Sequence, residues 1–431
     1  MPARKLDKER DGDRLGIWWT RRRVIAGVVA MLLAGLSLPA SAGSGTSLTW
    51  TETGSLNQAR WLATATLLQS GDVLLVGGTD GNKSLAGAEL YDPQTGQWTP
   101  TGSLALDRLD HVAALLPDGD VLVAGGTSLS LGSRSFSTEI YSPTTGTWHT
   151  GPDMNYPHSA AAVATLPDGR VLVAGGATSD VPRVPGVEEM DASPTAGGPS
   201  ELYDPTTNTW QVTGRMLQSD QWLQSVVLPD GRVLVGCGND PGDFEIYNPG
   251  ADPTTGLTGL WQLTALDPHL RTHCAMSLLP DGRVLVVGGD NHTYVPSVPQ
   301  EFSWSPSGTI TIGGGNVSTV GGEVLASIYD PVANTWTDTA PLPAPRVAPL
   351  SVRLADGRVL VLGGTQGQDL TSTEVYTPST GTWTSGGSLL VGRNDPIATL
   401  LTSGQVLVTG GGLPSSNLVG TPLAESEIGT P

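Results

Sequence analysis

The chain has 431 residues and a net charge of −19, and its basic groups are concentrated at the front: residues 1–42 hold eight basic and four acidic side chains. The remainder, 43–431, therefore carries −23 and a single lysine, Lys83, a balance that argues against nucleic acid as a partner. With 57 Gly and 33 Pro punctuating short, regularly spaced apolar runs, the composition is that of a turn-rich β protein and not of a disordered chain.

In chain order, the first feature is Arg21-Arg22-Arg23, followed by an apolar stretch from Val24 to Leu38 and by Pro39-Ala40-Ser41-Ala42. A basic flank, a short apolar core and an Ala-x-Ala ending predict a secretory signal over 1–42, cut after Ala42. The core is too short for a membrane span, so none is expected once the signal is removed. Thr20–Ile25 resembles a twin-arginine signal. The mature protein, 43–431, is expected to be exported to the periplasm, the cell surface or the medium.

From residue 47 onward one pattern recurs: an apolar run, a Leu-Pro-Asp-Gly-Arg turn, Val-Leu-Val-x-Gly-Gly, then Glu-(apolar)-Tyr-Asp-Pro, then Thr-Gly-x-Trp. Gly-Gly elements end at Gly78, Gly126, Gly176, Gly238, Gly289, Gly364 and Gly411, with Cys237 replacing the first glycine of the fourth. The Trp recurs at Trp98, Trp148, Trp210, Trp261, Trp336 and Trp383, leaving the seventh unit without one, while Ser47-Leu48-Thr49-Trp50 precedes the first unit. Runs such as Val121-Leu122-Val123-Ala124 predict strands buried on both faces. Pro-Asp-Gly at 117–119, 167–169, 229–231 and 280–282 supplies the turns. Each unit thus predicts a four-stranded antiparallel sheet that must stack on its neighbours. Seven such sheets close into a ring, the last completed by the N-terminal strand around Trp50.

The Gly-Gly, Tyr and Trp columns over Ser47 to Ile428 resemble kelch repeats, as found in kelch proteins and in the propeller of the galactose oxidase family. The resemblance implies an all-β, seven-bladed kelch-type β-propeller over 43–431, and says little of function. Members of the galactose oxidase family place adjacent Tyr and His copper ligands at the start of one innermost strand. The matching stretch here is Arg271-Thr272-His273-Cys274, in which His273 fits the histidine and Thr272 stands in place of the tyrosine; no Tyr-His dipeptide occurs in the chain. A radical copper site without its tyrosine is chemically incomplete, so no cofactor is expected.

Two long segments interrupt the repeats, Ala177 to Ser200 and Asp290 to Gly322, in the same kind of loop and hence on one face; within the second, Phe302-Ser303-Trp304 and Thr309–Ile312 predict an added hairpin. Nine residues before each turn position stand Arg60, Arg108, His158, Asp220, Arg271, Arg346 and Arg393. This column falls at the start of the innermost strands, near the channel mouth on the insertion-bearing face. Arginine there serves either as a scaffold partner for a carboxylate or as a ligand contact. Beside the column lie Asp110 with His111, Gln221 with Trp222, His269 with His273, and Asn394 with Asp395. The candidate ligand-binding residues are Arg108, His111, His158, Asp220, Trp222, Arg271, His273, Arg346 and Arg393, for a protein or glycan partner. No catalytic residue or metal ligand is assigned. The alternative is a galactose oxidase-like or glycan-processing enzyme. The two cysteines, Cys237 and Cys274, lie toward the same end of adjacent blades and form either a disulfide between them or two buried thiols.

Overall fold

A computed structural model of the protein describes residues 47–177, 198–218, 220–242, 244–251, 258–291, 302–304, 310–312, 323–413 and 421–431. The signal sequence expected over 1–42, and most of both insertions, lie outside these residues. The described residues contain no helix, and so none long and apolar enough to cross a membrane.

The short β-branched runs form second strands, among them Val73–Val76, Val121–Ala124 and Val171–Ala174, whose residues are all buried. Apolar runs without alternation require cover on both faces, and each receives it from the blades on either side. One core cluster joins Leu74 and Val76 of the first sheet to Val121, Val123 and Tyr141 of the second. The hydrophobic interior is thus a series of seams between sheets. Each second strand leaves a tight turn. Gly119 N–H donates to Leu116 O at 3.0 Å, and Gly119 takes φ of 95°, a value a Cβ would strain.

Seven four-stranded antiparallel sheets result, which we number as blades 1 to 7. Blade 1 runs Thr64–Leu67, Val73–Val76, Ala88–Asp92 and Gln97–Thr101 from axis to rim. The innermost strands of the next six are Val112–Leu115, Ala162–Thr165, Gln224–Val227, Ala275–Leu278, Leu350–Arg353 and Ile397–Leu400. Each touches the innermost strand before and after it, and that of blade 7 touches that of blade 1. The ring is closed.

Blade 7 takes three strands from the C-terminal end, Ile397–Leu400, Val406–Thr409 and Ser426–Thr430, and its rim strand is Thr49–Thr53. The register pairs Trp50 with Gly429. Trp50 does what the repeated Trp does elsewhere: its indole N–H donates to Gly386 O of blade 6 at 3.1 Å, as Trp148 donates to Gly102 O of blade 1 at 2.7 Å. Thr53 likewise bonds the Tyr91 hydroxyl of blade 1 at 2.7 Å, as Thr101 bonds Tyr141 across the next seam at the same distance. The N-terminal strand is therefore equivalent to the rim strands of the other blades. The added hairpin is present too, Phe302–Trp304 pairing antiparallel with Ile310–Ile312.

Candidate functional site at the channel mouth

The arginine column faces into the blades. Arg60, Arg108, Arg271, Arg346 and Arg393 are each at most 1% exposed. In blade 2, Arg108 Nη1 donates to Gly125 O at 2.8 Å and Ser137 O at 3.0 Å, while Nη2 donates to Glu139 Oε1 at 2.8 Å. Arg60 with Glu89, Arg346 with Glu374 and Arg393 with Glu427 repeat the pairing at 2.7, 3.5 and 2.9 Å. The glutamate is that of the Glu-(apolar)-Tyr motif. Its second oxygen holds the lead-in loop, as in Glu139 Oε2 accepting Ala105 N–H at 2.7 Å. Burial holds Arg60, Arg108 and Arg346 below the usual guanidinium range, against the pull of the paired carboxylate. Blade 5 carries Ser327 where the glutamate belongs, and Asp267 supplies the carboxylate to Arg271 at 3.1 Å.

Where the column changes residue, the side chain is again covered. His158 Nδ1–H donates to Gly175 O at 2.7 Å, and Nε2 lies 3.4 Å from Glu201 Oε1, both side chains being fully buried. Asp220 Oδ1 accepts the N–H groups of Gln221 and Asn239, each at 2.6 Å, while Oδ2 is buried without a hydrogen-bond partner. Burial, then the charge of Asp240, pushes its carboxyl up to about 7. His111 is buried against blade 1, Nε2 meeting Thr64 Oγ1 at 2.8 Å; burial, then the Arg108 charge, pushes it down to about 3 and keeps the ring neutral.

Two residues after each column position the backbone takes a left-handed conformation. Leu62, Asp110, Ala160, Trp222, His273, Ala348 and Asp395 have φ between 45° and 55°. One such residue per blade stands at the lip of the channel, and backbone bonds link several in sequence: Asp110 N–H to Leu62 O, Ala160 N–H to Asp110 O, Trp222 N–H to Ala160 O and Ala348 N–H to His273 O. Non-glycine residues seldom accept this conformation, which costs roughly 1 kcal/mol or more each. Each of these residues lies in the bend two positions before its innermost strand begins.

The mouth thus presents four residues able to meet a ligand. Trp222 of blade 4 is 37% exposed. Its ring lies 6.4 Å from that of His273 of blade 5, tilted by 45°. His273 Nδ1 is 3.7 Å from Asp290 Oδ2 and 3.3 Å from Thr272 Oγ1. Asp110 and Asp395 supply carboxylates from blades 2 and 7. Protein packed around them pushes their carboxyls up to about 7 and about 6, and the charge of Asp395 adds to the rise at Asp110. Asp395 is exposed and Asp110 half-buried, so solvent screens both carboxyls. Of the sequence-level candidates, the structure brings Trp222 and His273 together at the mouth. It leaves Arg108, Arg271, Arg346, Arg393, His111, His158 and Asp220 inside the blade seams.

The Kelch motif family matches residues 64–105, 109–155 and 346–390, which fall in blades 1, 2 and 6. No curated protein matches the chain. Among solved structures, a fungal alcohol oxidase of the AA5 family, described as novel and catalytically diverse and solved in complex with copper, is similar with a TM-score of 0.63 at 18% identity, covering 90% of this chain and 77% of that one. The chain carries Kelch motifs in a seven-bladed β-propeller, and its fold is similar to that of this AA5 oxidase.

The copper site that this resemblance implies does not fit the residues present. Thr272 is fully buried, and its hydroxyl is neither a phenolate nor a radical carrier. Among the described residues no three His, Cys, Asp or Glu side chains gather to hold a metal ion.

Proposed function

We propose that the protein is an exported binding module that receives a protein or glycan partner on the mouth face of its propeller. The observation that carries this reading is the Trp222–His273 pair: an exposed indole, held by a strained backbone beside an imidazole and the Asp290 carboxylate. An indole face stacks on the apolar face of a sugar ring or on an apolar side chain, and flanking carboxylates accept hydroxyl or amide hydrogens. The buried arginines are bonded to carbonyls and carboxylates within their own blades and serve the scaffold.

The test is a screen of the mature protein against glycan and peptide arrays, repeated with Trp222→Ala. Binding that falls at least tenfold in the variant, with unchanged thermal unfolding, supports the reading. Binding that survives the substitution, or falls equally with Asp118→Ala on the opposite turn face, contradicts it.

A further inference from the structure

All six intact Gly-Gly pairs share one backbone conformation, and four of the seams they border share one hydrogen bond. The first glycine is left-handed, with φ from 60° to 68° at Gly77, Gly125, Gly175, Gly288, Gly363 and Gly410. The second is left-handed too, and in blades 1, 2, 3 and 5 its N–H reaches the column residue of the next blade: Gly78 to Arg108 O, Gly126 to His158 O, Gly176 to Asp220 O and Gly289 to Arg346 O, at 2.7 to 2.9 Å. Between blades 4 and 5 this wiring is replaced. Cys237 holds the first position at φ of 62°, where an L side chain is strained, and bonds Cys274 of blade 5 with a Cα separation of 4.9 Å. Gly238 is not left-handed; a Cβ there would lie on the Asp220 carboxylate. The carbonyl of Arg271 is taken instead by Gly242 N–H at 3.2 Å, and His273 N–H turns to Gly238 O at 3.1 Å.

The two residues flanking this rewired seam at the lip are Trp222 and His273. His273 directly precedes Cys274, and its N–H is held by the residue directly after Cys237. We infer that the Cys237–Cys274 disulfide is a positioning element for the Trp222–His273 pair. It takes over from the Gly-Gly bond at this seam and sets the spacing of the two rings. The inference rests on the reading of the mouth as the binding site, but its test needs no ligand. Both cysteines are at most 3% exposed, so the bond is out of contact with external thiols.

The experiment compares the mature protein with the double variant Cys237→Gly/Cys274→Ala, which restores the glycine found in the other six blades. The signal of Trp222 is isolated as the difference in emission between each protein and its Trp222→Phe counterpart, and acrylamide quenching of that signal is measured. The expected result is a folded variant in which Trp222 emission shifts to the red and quenching rises at least twofold. The signal of Trp98 in blade 1, isolated in the same way, stays unchanged. Unchanged Trp222 emission and quenching in the folded variant overturns the proposal. If that variant does not fold, Cys237→Gly/Cys274→Val, which refills the lost volume, is read identically. Failure of both to fold assigns the bond to stability alone and also overturns it. Loss of array binding with an intact Trp222 signal counts against positioning and leaves the mouth reading standing.

Discussion

At the scale of single residues, the molecule separates two kinds of polar side chain that stand two positions apart. Column residues are buried and bonded; lip residues are left-handed and half-buried or exposed. Arg108 shows the first kind, with donors to two carbonyls and Glu139. Arg108→Ala leaves Glu139 buried without its cation, and stability is expected to fall by about 3–5 kcal/mol in denaturant titrations. Arg108→Lys is expected to recover only part of this, because one ammonium does not span the guanidinium's separate acceptors. Asp110 shows the second kind. Burial, then the charge of Asp395, pushes its folded carboxyl up to about 7, above the roughly 3.9 of an unfolded chain, and solvent screening at the half-buried site tempers the effect. The folded state therefore holds more protons between these values, and stability falls as pH rises through that window. Asp110→Asn is expected to flatten the decline in melting temperature between pH 4 and pH 7 and to melt higher than the parent at pH 8. Identical pH profiles for the two proteins would contradict the assignment.

At the scale of strands and turns, most of the structure was legible because each repeat states it again. The buried Val-Leu-Val runs, the Pro-Asp-Gly turns and the Tyr and Trp positions all fall where their residue types require. The arginine column was readable as a column, and its partner was visible in the Glu of Glu-(apolar)-Tyr, but the pairing needed the third strand to lie beside the first loop. Blade 5 obscured it further, with Ser327 in the glutamate's place and Asp267 acting from the lead-in loop. The left-handed lip was not legible: Leu62, Ala160 and Ala348 give no sign of positive φ, which the blade geometry imposes on them. Trp222 and His273 were readable as polar-edge candidates, while their contact across a seam depends on a break in the Gly-Gly pattern marked only by Cys237. That seam has a direct chemical check. Alkylation of the denatured protein is expected to add no groups without reductant and two after reduction, measured by mass. Two groups added without reductant would exclude the bond.

At the scale of the whole molecule, the ring is held by one strand from the opposite end of the chain. Trp50 is 7% exposed and packs with Leu360, Leu362, Val375, Val406 and Val408 of blades 6 and 7. Trp50→Ala is expected to cost about 3–5 kcal/mol, as for other large aromatic residues removed from a core. Deletion of the strand also unpairs Ser426–Thr430 and exposes the rim of blade 7. A closed ring transmits that loss to every seam, since each blade is covered only by its neighbours. The most direct test is thermal unfolding of the protein beginning at residue 54 against the protein beginning at residue 43. Closure by the N-terminal strand predicts a melting temperature lower by at least 10 °C, with the transition broadened. Coincident melting curves would mean that blade 7 stands without Thr49–Thr53 and that the ring is not closed by that strand.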